Sequence, residues 1–280
     1  MSFSAEWLAL REPADHEARS IILRNHLQAH LANRDDVDII DLGCGTGSNL
    51  RALAPHLPPR QSWRLVDYDQ TLLDAARRTL RDWADSASDA DSALVLQKDR
   101  KTITVVFDRV DLAADLEKLL ARKPDLVTAA AFFDLVSPEW IARFCDALAA
   151  HRLTFFTVLT YDGLDRWLPP HPADEAMVRA FHAHQATDKG FGMAAGPQAS
   201  HILQQALTRH RYRVVMEPSP WKLGQTQRAL RNALSDGFAG AVAETRMVPA
   251  DIVESWRVAR RGAVSCEVGH YDLLGLPSAD

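Results

Sequence analysis

Residues 37–53 read VDIIDLGCGTGSNLRAL. An apolar run rich in branched side chains opens the stretch, Gly43, Gly45 and Gly47 follow at alternate positions, and Leu50, Leu53 and Leu57 then recur at helical spacing. That order predicts a strand, a tight turn and a helix. With no side chains at the three glycines, the backbone can turn sharply and bring main-chain amides at the helix start against a ligand. A dinucleotide fingerprint needs G-x-G-x-x-G, but Ser48 stands where its third glycine belongs and Gly47 comes one residue early. A phosphate loop fits worse, because no G-K-[ST] follows. Asp41, at the end of the strand, would repel a pyrophosphate and suits a ligand that carries positive charge, such as an amino-acid sulfonium.

The residues D-L-G-C-G-T-G from Asp41 to Gly47 resemble the first motif of the class I S-adenosylmethionine-dependent methyltransferases, D/E-x-G-x-G-x-G. The next apolar run, WRLVD from Trp63, ends in Asp67, and helical spacing resumes at Leu72, Leu73, Ala76 and Leu80. Like dinucleotide binders, this family holds ribose hydroxyls with a carboxylate about 20 residues beyond the glycines. The resemblance implies a Rossmann-like α/β fold: seven strands, mostly parallel, with helices on both faces, helical insertions and an antiparallel edge strand. It implies S-adenosyl-L-methionine as cofactor, with Asp41, Gly43, Gly45 and Gly47 around the methionine part and Asp67 on the ribose. Tyr68 and Ala129 are further implied cofactor contacts. Asp111 and Leu112 would take the adenine, although Asp111 also suits the cap of the helix expected from Leu116. A basic residue of the leading helix meets the methionine carboxylate in such enzymes, and Arg11 and Arg19 are the candidates.

Composition narrows the class. The chain has 280 residues, enough for one domain with insertions. With 32 basic and 37 acidic residues it lacks the basic groove expected of a nucleic-acid binder, the densest basic spot being RVARR at 257–261. Cys44, Cys145 and Cys266 are too few and too scattered for a disulfide framework or a zinc site. No secretory leader and no membrane-length apolar run is visible, so a cytoplasmic protein without a membrane partner is expected. The oligomeric state carries no sequence signal.

Taken in order, residues 1–34 read as an N-terminal helical lid of two helices broken near Pro13. Residues 83–93 (WADSASDADSA) read as a surface loop, followed by a hairpin across Lys98–Lys101. Asp125–Phe133 is an apolar run expected as a central parallel strand. It lacks the N/D-P-P-Y sequence of methylases acting on amides or adenine amino groups, which argues against DNA adenine as the acceptor. Asp134, just beyond it, is a candidate proton acceptor or a helix cap. A fifth strand is expected to end at Tyr161-Asp162-Gly163.

Residues 164–196 then form an expected substrate-cap insertion, since ligands of open α/β sheets lie beyond the carboxyl ends of the strands. Within it a helix over 173–185 puts Met177, Phe181 and His184 on one stripe and points His182 away from it. His184 is therefore a second candidate base; a histidine bonded within the cap is the alternative. His182-Ala183-His184 has no further ligands nearby, so no metal site is expected. Gly190 and Gly192 let D-K-G-F-G turn and offer Lys189 or Asp188 to a ligand. Tyr161, His182, Lys189 and Trp221 are candidate substrate contacts, with edge packing the alternative for Trp221. A second helical insertion, 224–262, precedes a last strand expected beside the sixth. The expected reaction is methyl transfer to an oxygen or nitrogen of a small molecule; a non-catalytic S-adenosylmethionine-binding scaffold or sensor is the alternative.

Overall fold

Along the strand Asp36–Leu42 (β1), Val37 and Ile39 enter one core while Ile40 and Leu42 enter another, because alternate side chains point to opposite faces. A strand buried on both sides needs a helical layer on each, and the computed structural model, which describes residues 3–278, supplies both. The first core takes Leu23, Leu27 and Leu31 from α2 (Ile21–Leu31), together with α3 (Ser48–Leu53) and α4 (Gln70–Trp83). Each of those fully buried leucines contributes about 2 kcal/mol of transfer free energy. The opposite core takes α5 (Leu116–Leu120), α6 (Pro138–His151) and α8 (Ala199–Arg209).

The sheet continues through β2 (Arg60–Asp67), β3 (Ser86–Ala90), β4 (Ala93–Lys98), β5 (Lys101–Arg109), β6 (Leu126–Ala130), β7 (Thr154–Leu168), β8 (Tyr212–Pro218), β9 (Trp221–Leu223) and β10 (Ser265–Pro277). Its order is β3-β4-β5-β2-β1-β6-β7-β10-β8, with β9 paired to β10. The five strands β5, β2, β1, β6 and β7 are parallel. A third core lies beyond one end of this sheet. It gathers α1 (Ala5–Ala18), α7 (Asp174–Gln185), α9 (Arg228–Thr245) and α10 (Ala250–Arg261) against β9 and the outer ends of β7 and β10. Among the described residues no helix is long and apolar enough to cross a membrane.

Several sequence expectations are corrected. The seven expected strands and the first arm of the expected hairpin, β4, are joined by β3 and β9, and the last strand is no edge: β10 runs antiparallel between β7 and β8. Residues 86–90, expected as loop, pair with β4 from Ser86↔Gln97 to Ala90↔Ala93. Backbone pairing suffices there, and Arg77 and Arg81 of α4 hold Asp89 against it. Pro13 does not break α1, because Ala9, the residue whose carbonyl loses its partner, faces solvent. The break falls at Arg19 (ψ 139), after which the Ser20 hydroxyl accepts the Leu23 amide at 3.2 Å. β6 stops at Ala130 because Ala131 turns to φ 51. Gly163, read as a strand end, instead sits at φ 96 in a bulge where β7 slips against β10 between Tyr161 and Asp165, so the strand runs on to Leu168.

Candidate functional site

The carboxyl ends of β1, β2, β5 and β6 open onto a cleft of about 810 Å³, walled on its far side by α1 and by residues 189–191. At its floor Gly43 (φ 61) and Gly45 (φ 53) are left-handed. A Cβ on Gly43 would stand 2.8 Å from the Phe132 ring, and one on Gly45 would stand 3.0 Å from Leu8. The loop is pinned to β2: the Cys44 amide donates to the Val66 carbonyl at 3.0 Å and the Gly45 amide to Asp67 Oδ2 at 2.9 Å. Asp67 Oδ1 accepts the Asp69 amide at 3.0 Å. Burial raises the Asp67 carboxyl above its ordinary value despite these two amides.

Asp41 is wholly buried. Its Oδ1 accepts from Asn49 Nδ2 at 2.7 Å, whereas Oδ2 is enclosed with no partner. Burial pushes this carboxyl up to about 7, against the pull of Asn49 and the Arg19 guanidinium. An enclosed acid with an open lone pair is a receptor for a cation or a donor group. Asn49 is aimed by Arg19, whose Nη1 donates to Asn49 Oδ1 at 2.7 Å, and it also donates to Thr128 at 3.1 Å.

The two candidate arginines differ. Arg11 is spent on Asp15, donating from Nε at 2.9 Å and from Nη2 at 3.1 Å. Arg19 keeps a buried Nε without a partner while lining the same cleft, so it is the better placed for a carboxylate.

Of the other cofactor candidates, Asp111 and Leu112 form the cleft wall opposite. Asp111 Oδ1 accepts the Ala113 amide at 2.9 Å, a turn cap, and the Leu112 carbonyl accepts Trp140 Nε1 at 2.9 Å. Tyr68 lies exposed at the rim under the Arg109 guanidinium, 5.2 Å from its ring centre. Gly47 and Ala129 do not line the cleft. Gly47 begins α3 facing Leu65 and Leu80, and Ala129 is buried in β6 with its carbonyl taking the Thr157 hydroxyl.

The acceptor-side candidates scatter more. Asp134 is buried beside the wall residues Phe132 and Leu135, its Oδ1 without a partner. Burial raises it to about 6, opposed by its own backbone amide, Arg11 and the Tyr161 backbone. The Tyr161 hydroxyl meets His182 Nε2 at 3.1 Å just behind the cleft. Burial lowers that imidazole, so it stays neutral and its proton is carried on one nitrogen only. Lys189 and Phe191 are wall residues, and Phe191 meets the Phe132 and Trp140 rings at 5.7 and 5.5 Å. Asp188 Oδ1 fixes this loop through the amides of Gly190 (2.7 Å) and Gly192 (3.0 Å).

His184 is elsewhere: its Nε2 pairs with Glu244 of α9 at 3.0 Å, outside the cleft, because the α7 stripe of Met177 and Phe181 faces the third core. Trp221 is also withdrawn. Its indole donates to Asp15 at 3.0 Å and its ring lies under Arg11, so it props up two wall residues and is itself no wall. Asn49 and Phe132 were not singled out in the sequence. An Asn beside Leu50 on a buried helix carries a signal, since a polar group there needs partners, but nothing in DLVTAAAFF tells which phenylalanine turns outward.

A strand–glycine turn–helix with a receptive buried acid, followed one strand later by a second acid, defines a nucleoside-type cleft suited to a cationic ligand. Residues 39–152 match the model of the methyltransferase domain family. Over this segment the chain is similar to methyltransferase domains, and the glycine turn with its two acids suits S-adenosylmethionine as the ligand of the cleft. No curated protein matches the sequence. Among solved structures the fold is similar to that of YcgJ from Bacillus subtilis (11% identity over 92% of this chain and 98% of that one, TM-score 0.50). It is similar too to the cyclopropane synthase MmaA2 from Mycobacterium tuberculosis (11%, 97% and 94%, TM-score 0.51). A third is the cyclopropane-fatty-acyl-phospholipid synthase-like protein from Lactobacillus casei (12%, 98% and 94%, TM-score 0.50).

Proposed function

We propose that this enzyme methylates an oxygen or nitrogen of a small molecule received between α1, the 131–135 turn and the 189–191 wall. The observation that carries this reading is Asp134, a buried carboxyl beside the cleft with one oxygen unpartnered and an affinity for protons raised to about 6. S-adenosylmethionine supplies a methyl group on positively charged sulfur, which departs as a neutral thioether. Asp41 and the glycine loop would hold the charged methionine end, Arg19 its carboxylate, Asp67 the ribose, and Asp111 with Leu112 the adenine. Asp134, ionised at neutral pH, would accept the proton that an O–H or N–H acceptor loses as the new bond to carbon forms. Tyr161 and His182 would orient the acceptor from behind, and Lys189 would read an acidic group on it while Phe132 and Phe191 exclude water. His184 is not assigned a role, since Glu244 holds it outside the cleft.

The test is Asp134→Asn, a shape-conserving loss of the base. Turnover should fall about 100-fold, and the wild-type decline in rate below about pH 6 should vanish. S-adenosylhomocysteine affinity should stay within about twofold, because the residue is not on the cofactor side. Undiminished turnover with an unchanged pH profile would remove Asp134 from the reaction.

A further inference from the structure

One fully buried carboxylate is not used by the reaction outlined above: Asp272, on β10 at the point where that strand slips by a residue against β7. It holds three donors from three separate elements. Oδ1 accepts the Leu159 amide at 2.9 Å and the Ser219 hydroxyl at 2.6 Å, and Oδ2 accepts the Ser20 amide at 2.8 Å. Each donor sits where the chain is irregular. Leu159 is left-handed at φ 59 in the middle of β7, a conformation a leucine adopts only when its surroundings impose it. Ser20 is the joint between α1 and α2, and Ser219 lies between β8 and β9.

Each of these points also leads directly to the cleft. Ser20 follows Arg19, which lines the cleft and aims Asn49 at Asp41. Leu159 precedes Thr160 and Tyr161, the latter bonded to His182. Ser219 precedes Trp221, which supports Asp15 and, through it, Arg11. A carboxylate buried only to finish a strand would need one or two local amides; this one collects the hinge of the leading helix, the bulge of the central strand and the turn before Trp221.

The geometry points to Asp272 as a positioning residue that places Arg19 for the methionine carboxylate and sets the leading helix in register with the acceptor wall. This rests on the assignment of Arg19 made above. An asparagine at 272 keeps the size but brings an NH₂ group toward a backbone amide, since one oxygen cannot serve both Leu159 and Ser20 from opposite sides.

The experiment compares two ligands that differ only at the amino-acid end, S-adenosylhomocysteine and 5′-methylthioadenosine, by calorimetry at a temperature well below the melting point of every variant. Asp272→Asn should weaken S-adenosylhomocysteine about tenfold or more and leave 5′-methylthioadenosine within about twofold. Should Asp272→Asn fail to fold, Ser20→Pro takes its place. It removes that amide at a backbone already suited to proline (φ −63, preceded by ψ 139), together with the hydroxyl cap on Leu23, whose loss lowers stability without distinguishing the two ligands, and should show the same selective loss. Equal weakening of both ligands, or no weakening of either, overturns the assignment. A wild-type protein that binds neither ligand would instead overturn the cofactor site itself.

Discussion

The cofactor wall and the acceptor wall of the cleft are built in opposite ways. Asp41, Gly43, Gly45 and Asn49 belong to nine consecutive residues, and Asp67 joins them from the adjacent strand by accepting one hydrogen bond from the Gly45 amide. The wall proposed for the acceptor takes Arg11, Phe132, Lys189 and Phe191 from α1, the 131–135 turn and the 189–191 loop, with Asp134 and Tyr161 behind them, and it rests partly on the second core and partly on the third. The contrast teaches that the donor end is a local property of strand–turn–helix geometry, whereas the proposed acceptor end exists only once segments far apart in the chain have packed together.

That contrast can be broken or sharpened by substitution. The largest effect is expected at Arg260, buried in the annex between Trp167 and Trp256 and paired with Asp174. Arg260→Met should cost about 3 kcal/mol of stability by removing the cation that faces Asp174 and the donor to the Pro169 carbonyl, yet S-adenosylhomocysteine affinity measured well below the melting point should not move. A parallel loss of affinity would show the two walls to be coupled through the annex.

Gly43→Ala forces a Cβ into left-handed backbone and to 2.8 Å from Phe132. A loss of about 2 kcal/mol in chemical denaturation is expected, with cofactor binding reduced by more than tenfold in the same preparation.

Asp41→Asn should cost roughly 1.4–2.8 kcal/mol in S-adenosylmethionine binding, a 10- to 100-fold rise in Kd by calorimetry. Its pH signature has a definite sign. Burial raises this carboxyl from 3.8 to about 7, so the folded unliganded chain keeps a proton that the unfolded chain has lost between those values. The group's contribution to stability therefore falls as pH rises from about 4 to about 7. Cofactor affinity runs the other way, rising with pH until Asp41 is ionised, because the cation favours the carboxylate. In Asp41→Asn the affinity should be flat from pH 6 to 8; a retained slope would assign the proton elsewhere.

The smallest effect is expected at His184. Its partner Glu244 is largely exposed, so His184→Gln should change stability by less than about 1 kcal/mol and leave the pH–rate profile where it was.

Legibility follows the same division. The branched apolar run from Val37 already announced a strand, and the spacing from Gly47 to Asp67 announced the second acid. Asp134 was visible as a residue type beyond a strand end and Lys189 in a glycine turn, but whether their side chains turned inward was not. His184 shows the limit: helical spacing put it on the stripe of Met177 and Phe181, and that stripe turned out to cover the annex. Gly163 likewise has the same composition in a strand end and in a bulge; only the partner strand β10 distinguishes the two.

What the amino-acid sequence determined alone is everything that depends on neighbours along the chain: the turn at Gly43 and Gly45, the acid before it, and the helix after it. Steric limits on φ and the two periodicities act over a few residues, so they can be read in order. Which arginine keeps a free donor, which histidine reaches Tyr161 behind the cleft and what holds Leu159 in its bend were decided by tertiary structure. Those outcomes turn on desolvation and hydrogen-bond competition among residues as distant as Ser20 and Asp272, and such competition has no address in the sequence until the chain has closed around it.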